Sequence, residues 1–395
     1  MLGKSEGFDH GRPATGRSHR PNSLQPYEES GGLTVGQPIT ALVGVLPDAN
    51  TTGAWAGLNA RLPSVKVLIL GGTGWLGRLV AETAVAQGFD VSCLARGTSV
   101  PDGVTLVRAD RDEDQALSVV SSSHWDAVID LGTQPGHVRR AVRDLEPVAE
   151  RFVCVSTVSV YASHAEFGAD EDAELQEPLR KDVMASLDEY GSAKVACEQA
   201  VLSGFGAERS AIIRPGLIGG PGDPSGRTGY WAMRFARPSN PEGRVLVPDA
   251  PELPTAVIDV RDLAAWLVRL AAGTTAGIFN ALGEPRLFPA HIELARSLAR
   301  PAASVVLAPE DWLAERGVVE WSGPRSMPLW LADRSWVGMN ARSTARARAA
   351  GLTLRPLSET LADSLAWDLA HLSNTAHGAG LSDDEERELL AELVG

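Results

Sequence analysis

From Val65 onward, apolar residues fall in short, nearly unbroken runs separated by stretches of helical period. Val65-Lys-Val-Leu-Ile-Leu70 has five apolar residues in six, the pattern of a strand covered on both faces of a parallel sheet. Similar runs predict strands over Asp90–Ala95, Val104–Arg108, Ala127–Leu131, Phe152–Ser156 and Ser210–Arg214. Between them the spacing predicts helices, notably Trp75 to Gln87, Gly136–Leu145 and Tyr190–Leu202. Repeated strand–helix units imply an α/β fold with a doubly wound parallel sheet. Past Pro215 the alternation loosens, and short helices (Asp262–Ala272, Pro289–Leu298) mix with brief strands such as Gly277–Asn280. A helix over Leu381–Leu393 is opened by a capping box, Ser382 with Glu385 three residues on.

One turn in this pattern carries chemistry. The first strand runs into Gly71-Gly-Thr73-Gly74-Trp75-Leu76-Gly77, and a helix follows. Gly72-x-Gly74-x-x-Gly77 and Gly71-x-x-Gly74-x-x-Gly77 overlap there. Either spacing lets bare backbone N–H groups approach a pyrophosphate at a helix N-terminus. The chain thus divides into an extension over 1–63 that reads as disordered, a dinucleotide-binding core over 64–215, and a smaller α/β substrate-binding part over 216–395. The extension is rich in Gly, Pro, Ser, Thr and Asn with no sustained period.

Composition narrows the partners. Net charge is −14 over 395 residues, which disfavours nucleic acid and anionic membranes, since both select basic surfaces. The chain has no run of 18 apolar residues and no signal-peptide pattern at its start. Cys93, Cys154 and Cys197 each lie within an apolar run without metal-ligand spacing, as expected of buried thiols in a reducing cytoplasm. The eight histidines form no metal motif, and His137 and His291 are expected at the surface or at helix ends. No metal is expected, and a small-molecule substrate is.

Tyr190-Gly-Ser-Ala-Lys194 puts a phenol and an ammonium four residues apart, on one helix face. A cation beside a phenol favours phenolate, and a tuned phenol can exchange a proton with a carbonyl or alcohol oxygen. Upstream, the strand Arg151–Thr157 ends in hydroxyls, Ser156 and Thr157, where open α/β sheets bind ligands.

With these motifs in order, residues 65–285 resemble the extended branch of the short-chain dehydrogenase/reductase superfamily, the NAD-dependent epimerase/dehydratase family, and hence a Rossmann-like fold. The resemblance implies that Gly71, Gly74 and Gly77 form the cofactor turn, with Thr73, Trp75, Leu76, Leu131, Gly132, Ser156 and Pro215 around the dinucleotide. It makes Asp110 an adenine contact. It assigns Thr157, matched with Tyr161 in a hydroxyl-x-x-x-Tyr motif, to polarising the substrate oxygen. Tyr190 would be the proton donor or acceptor, and Lys194 would tune it and bond the nicotinamide ribose. A homodimer follows by analogy alone.

Two positions bear on specificity. The second strand ends at Ala95-Arg96, where an NAD enzyme carries an acid for the ribose hydroxyl. A guanidinium suits a 2′-phosphate, so Arg96 favours NADP(H) over NAD(H). Nucleotide-sugar members commonly carry Arg-x-x-Asn after the sixth strand. Here Arg214 is followed by Leu217, which cannot make that bond, although Arg227 or Arg234 could replace it. These positions favour an NADPH-dependent reductase of a carbonyl or activated double bond. The alternatives are a nucleotide-sugar epimerase or dehydratase holding NAD tightly, and a non-catalytic cofactor-binding regulator. Seven of ten Trp residues lie after Pro215 and could line a pocket or fill a core. The acidic segment Asp170–Glu174 reads as a solvated loop or a lid.

Overall fold

The computed structural model describes residues 64–299, 303–372 and 378–394, all within one compact unit, Arg61–Gly395. The extension 1–63 lies outside the described residues. A seven-stranded sheet organises the unit. Six strands come in chain order: β1 (Lys66–Leu70), β2 (Asp90–Ala95), β3 (Val104–Arg108), β4 (Ala127–Asp130), β5 (Phe152–Val155) and β6 (Ser210–Pro215). Gly277–Ala281 adds the seventh, and the spatial order is Gly277–Ala281, β6, β5, β4, β1, β2, β3. Every pairing in it is parallel. The direction of winding reverses between β1 and β4, which opens a crevice at the strands' C-terminal ends.

The continuous apolar runs have a direct explanation. Val67 and Ile69 of β1 face one side, packed with α1 (Trp75–Ala86) and α5 (Val260–Ala272). Leu68 and Leu70 face the other, packed with α2 (Pro135–Leu145) and α3 (Tyr190–Phe205). Side chains alternate across a strand, so a strand covered twice is apolar at both parities. The cysteines follow the same division: Cys93 is buried on the first face, Cys154 and Cys197 on the second. Burial pushes the Cys93 thiol up to about 12 and Cys197 to about 11.

After Pro215 the chain first adds short parallel pairs, Leu217–Gly219 with Val257–Asp259 and Arg244–Pro248 with Ser304–Ala308. α4 (Tyr230–Ala236), α6 (Phe288–Ala299) and the helices Leu357–Ala370 and Asp383–Val394 pack round a second core containing Trp231, Phe235, Phe288, Trp330 and Leu389. The strand read as Gly277–Asn280 lies in the central sheet beside β6 rather than in this second core. The capping box forms: Ser382 N donates to Glu385 Oε2 at 2.8 Å and Glu385 N to Ser382 Oγ at 3.3 Å. His291 is not at a surface. It is fully buried, with Nδ1 3.3 Å from Thr255 Oγ1, and burial pulls its pKa down to about 4. Among the described residues, no helix is long and apolar enough to cross a membrane.

Candidate functional site

The crevice is an open groove of about 610 Å³ at the C-terminal ends of β1, β2 and β4. Gly71 begins its floor with φ +95°, a region that favours glycine. Gly71 N donates to Leu94 O at 3.0 Å, tying the turn to β2. A Cβ on Gly77 would collide with the carbonyl oxygen of Gly71, so only glycine lets α1 sit this close to the turn. No side chain caps α1 at Gly74, which leaves the first-turn N–H groups for an anion. Thr73, Gly74, Trp75, Leu76, Arg96, Asp110, Leu131 and Gly132 join Gly71 and Gly77 round the groove. A bare-backbone cradle with an uncapped helix end fits a dinucleotide's pyrophosphate.

The reactive groups come from α3 and the end of β5. Lys194 is fully buried, and its Nζ donates to Gly132 O at 2.6 Å and Val155 O at 2.5 Å. Both carbonyls belong to residues that line the groove, so the ammonium is fixed directly beneath its floor. Burial alone would lower its pKa. The nearby thiols, the Tyr190 phenol and the Asp130 carboxylate reverse that and leave it raised. Tyr190 opens α3 one turn earlier and is half-buried. Thr157 caps the turn after β5, its Oγ1 accepting from Ser159 N at 3.1 Å and donating to Ser159 Oγ at 3.2 Å.

Residues 67–150 match the model of the NAD dependent epimerase/dehydratase family. Over these residues the chain is similar to that family. No curated protein matches the sequence. Among solved structures, the chain is similar to UDP-glucose 4-epimerase of Thermotoga maritima with UDP-glucose, at TM-score 0.57 and 16% identity over 78% of this chain and 100% of that one. It is similar to UDP-N-acetylglucosamine 4-epimerase of Bacillus cereus, at 0.56 and 14% over 77% and 96%. The Bordetella bronchiseptica enzyme WbmH in complex with NAD+ is a third, at 0.55 and 18% over 78% and 99%. At these identities the likenesses show a shared fold over 77–78% of the chain.

Within that fold, several side chains expected at the site are committed elsewhere. Ser156 donates to Glu198 Oε1 at 2.5 Å and is buried, so its hydroxyl turns from the groove. Glu198 is itself paired with Arg214, at 2.9 Å from Nε and 2.7 Å from Nη2. Arg214 Nη1 donates to the Tyr161 hydroxyl at 3.0 Å, and that hydroxyl donates to Asn280 Oδ1 at 2.6 Å. A buried polar chain therefore runs from β5 through α3 and β6 to the seventh strand. Pro215 ends β6, opposite Ala281 and away from the groove lining. In the acidic segment Asp170, Asp172 and Glu174 are exposed, while Glu171 is buried and anchors the segment by accepting from Asn280 N at 2.8 Å. Arg234 is occupied by Asp383 at 2.6 Å and by Glu386 at 3.2 Å.

Behind the groove lies an ion pair that had not been singled out. Asp130 ends β4 fully buried, in a forked pair with Arg111 at 2.7 Å and accepting from Gly132 N at 2.7 Å. Burial would raise its pKa, but the guanidinium and that N–H outweigh it and hold the carboxyl below the usual range. An acid closing the otherwise apolar run Ala127–Ile129 was the available signal. Arg111 of that pair lines the groove, as does His137, with Nε2 2.7 Å from Asp112 Oδ1.

Proposed function

We propose that the protein is a nicotinamide-dependent enzyme of the extended short-chain dehydrogenase/reductase type. Its reaction is the transient oxidation of a secondary alcohol on a nucleotide sugar, as in an epimerase or dehydratase. The observation that carries the reading is Lys194, locked to the carbonyls of Gly132 and Val155 under the groove, with Tyr190 one helical turn before it. The neighbours whose names include UDP-sugar 4-epimerases support this substrate class over a free-standing carbonyl reductase.

When bound, the nicotinamide supplies the hydride acceptor and donor. Tyr190 takes the proton from the substrate hydroxyl as it is oxidised and returns it on reduction. Lys194 keeps a positive charge beside that phenol throughout. Thr157 donates a hydrogen bond to the same substrate oxygen, giving up its bond to Ser159 Oγ to do so. For the cofactor we propose NAD. Arg96 Nη1 lies 3.9 Å from Asp110 Oδ2, and both line the groove. An acid there accepts from a ribose hydroxyl and repels a 2′-phosphate.

Leu217 supports a second reading, an NADPH-dependent reductase of small carbonyl compounds, because its buried apolar side chain stands where a diphosphate contact is expected. The two separate by experiment. The purified protein with NAD is incubated with UDP-glucose and UDP-N-acetylglucosamine, and products are read by NMR. Epimerised or dehydrated sugar is expected, falling about a thousandfold in Tyr190→Phe with cofactor binding retained. Unchanged sugars, together with NADPH oxidation by simple ketones, would overturn the epimerase reading. Conversion unaffected by Tyr190→Phe would remove the phenol from the mechanism.

A further inference from the structure

Gly132 lies just past β4, one residue beyond Leu131, whose N still donates to Leu70 O at 3.1 Å. Its carbonyl is nevertheless one of the two that hold the Lys194 ammonium. The other, Val155 O, belongs to β5 and is oriented by the sheet itself through pairing with β6. What orients Gly132 is a side chain: its N donates to Asp130 Oδ1 at 2.7 Å. Arg111 closes the far side of that carboxylate, with Nη1 and Nη2 each at 2.7 Å. Arg111 is in turn anchored to α2, its Nη2 donating to His137 O at 2.8 Å and its carbonyl accepting from Arg140 Nε at 3.1 Å. The pair is packed hard against the peptide it holds. A Cβ at residue 132 would lie 2.8 Å from Asp130 Oδ1 and 2.9 Å from Arg111 Nη1, so only glycine fits there.

Charge points the same way. Asp130 and Lys194 are each 1% exposed, and an ammonium so deeply buried is costly without a counter-charge. The groups facing it come from α3, β5 and β4. Cys154 on β5 and Cys197 on α3 are thiols that burial keeps protonated. Glu198, one turn further along α3, is taken by Arg214 at 2.7 Å. Tyr190 is the phenol the ammonium serves. Asp130, which Arg111 keeps ionised against the cost of burial, is the carboxylate that remains.

We propose that Asp130 is a positioning residue: its carboxylate fixes the Gly132 peptide whose carbonyl holds Lys194, and it stays beneath as the counter-charge of that ammonium. It acts through Lys194 and touches none of the reacting atoms. The proposal rests on the functional reading for what Lys194 does and deepens it.

The test reads the ammonium directly. The chain has four lysines, Lys4, Lys66, Lys181 and Lys194, so lysine labelled with nitrogen-15 at Nζ gives a simple NMR spectrum. An ammonium sealed between two carbonyls exchanges its protons with water slowly, and a solvated one does not. We expect the native full chain to show one slowly exchanging ammonium, absent in Lys194→Met. In Asp130→Asn its exchange should quicken by about tenfold or more. The kcat for sugar conversion should fall by about tenfold, with KM changed by less than about threefold. Arg111→Met/Asp130→Leu separates positioning from bracing, because an apolar pair of similar volume can restore the stability lost with one partner. A double variant that regains the native thermal midpoint and still exchanges quickly supports the proposal. Native exchange in D130N or in the double variant overturns it, as does a native chain without a slow Lys194 signal. Should neither variant show a thermal transition, Arg111→Lys decides: exchange faster by about threefold supports the proposal, and native exchange overturns it. Exchange is read without turnover. Quick exchange in D130N, from a protein that converts no sugar, loses the functional reading and keeps this inference. A protein that converts sugars, with D130N as slow to exchange and as active as the native chain, does the reverse.

Discussion

The two walls of the site are made of different material. On the cofactor wall the working surface is backbone: the Gly71–Gly77 turn, the uncapped start of α1 and the strand-end carbonyls that hold Lys194. On the other side it is side chains gathered from far apart in sequence, such as Arg227 over Trp321, backed by the fully buried chain of Tyr161, Arg214 and Asn280. A backbone wall tolerates change wherever no Cβ intrudes and fails where one does. A side-chain wall can be retuned one residue at a time, which is how one fold serves many substrates.

The sharpest way to break the contrast is Gly77→Val. Its side chain would strike the Gly71 carbonyl, and we expect NAD affinity to fall by at least a hundredfold in fluorescence titration, with any sugar ligand still bound by the opposite wall. Loss of both ligands in a folded variant would show that the walls are not separable.

Next in size is Arg214→Met. It strands Glu198 in a buried pair with about 1% and 2% of the two side chains exposed, and losing one partner of such a pair costs about 3–5 kcal/mol. Urea denaturation should read that loss. A change below about 1 kcal/mol would mean the polar chain behind the site contributes little.

Asp368 gives a pH-dependent test of the substrate side. Burial, and then the charge of Asp223, raise its pKa to about 6. The folded state therefore favours the protonated acid. That contribution is complete below the ordinary carboxylate value near 4 and is lost as pH rises through 6. Asp368→Asn should gain about 3 kcal/mol at pH 8 and almost nothing at pH 4. Equal gains at both pH values would dissociate the effect from ionisation.

The smallest expected effect is Arg96→Ala. The Arg96 side chain is largely exposed and 3.9 Å from Asp110, so NAD affinity should change by less than about 1 kcal/mol. A tenfold or larger loss confined to NADP(H) would restore the cofactor preference read from the sequence.

The same contrast explains what the sequence disclosed. Spacing encodes backbone geometry, so the glycine turn, the strands near it and the Tyr190–Lys194 helix could be read directly, with strand ends displaced by one residue. Ser156 could not be placed, because a hydroxyl at a strand end serves a ligand or an inner carboxylate equally well, and only Glu198, 42 residues on, decides between them. Arg227 and Arg234 look alike in sequence. What separates them is Asp383, 149 residues from Arg234, and no local pattern reports such a distance. Gly277–Asn280 has strand character, but membership of the central sheet is fixed by its register against β6.

The distribution of sulfur has a practical consequence. Three thiols, none disulfide-bonded and all protonated well past neutrality, are sealed inside the α/β sandwich, one beneath the α1–α5 layer and two beneath the α2–α3 layer. The native chain should ignore an alkylating reagent that an opened chain consumes at once. Mass spectrometry of the labelled peptides then reports which helical layer lifted first, without a single engineered residue.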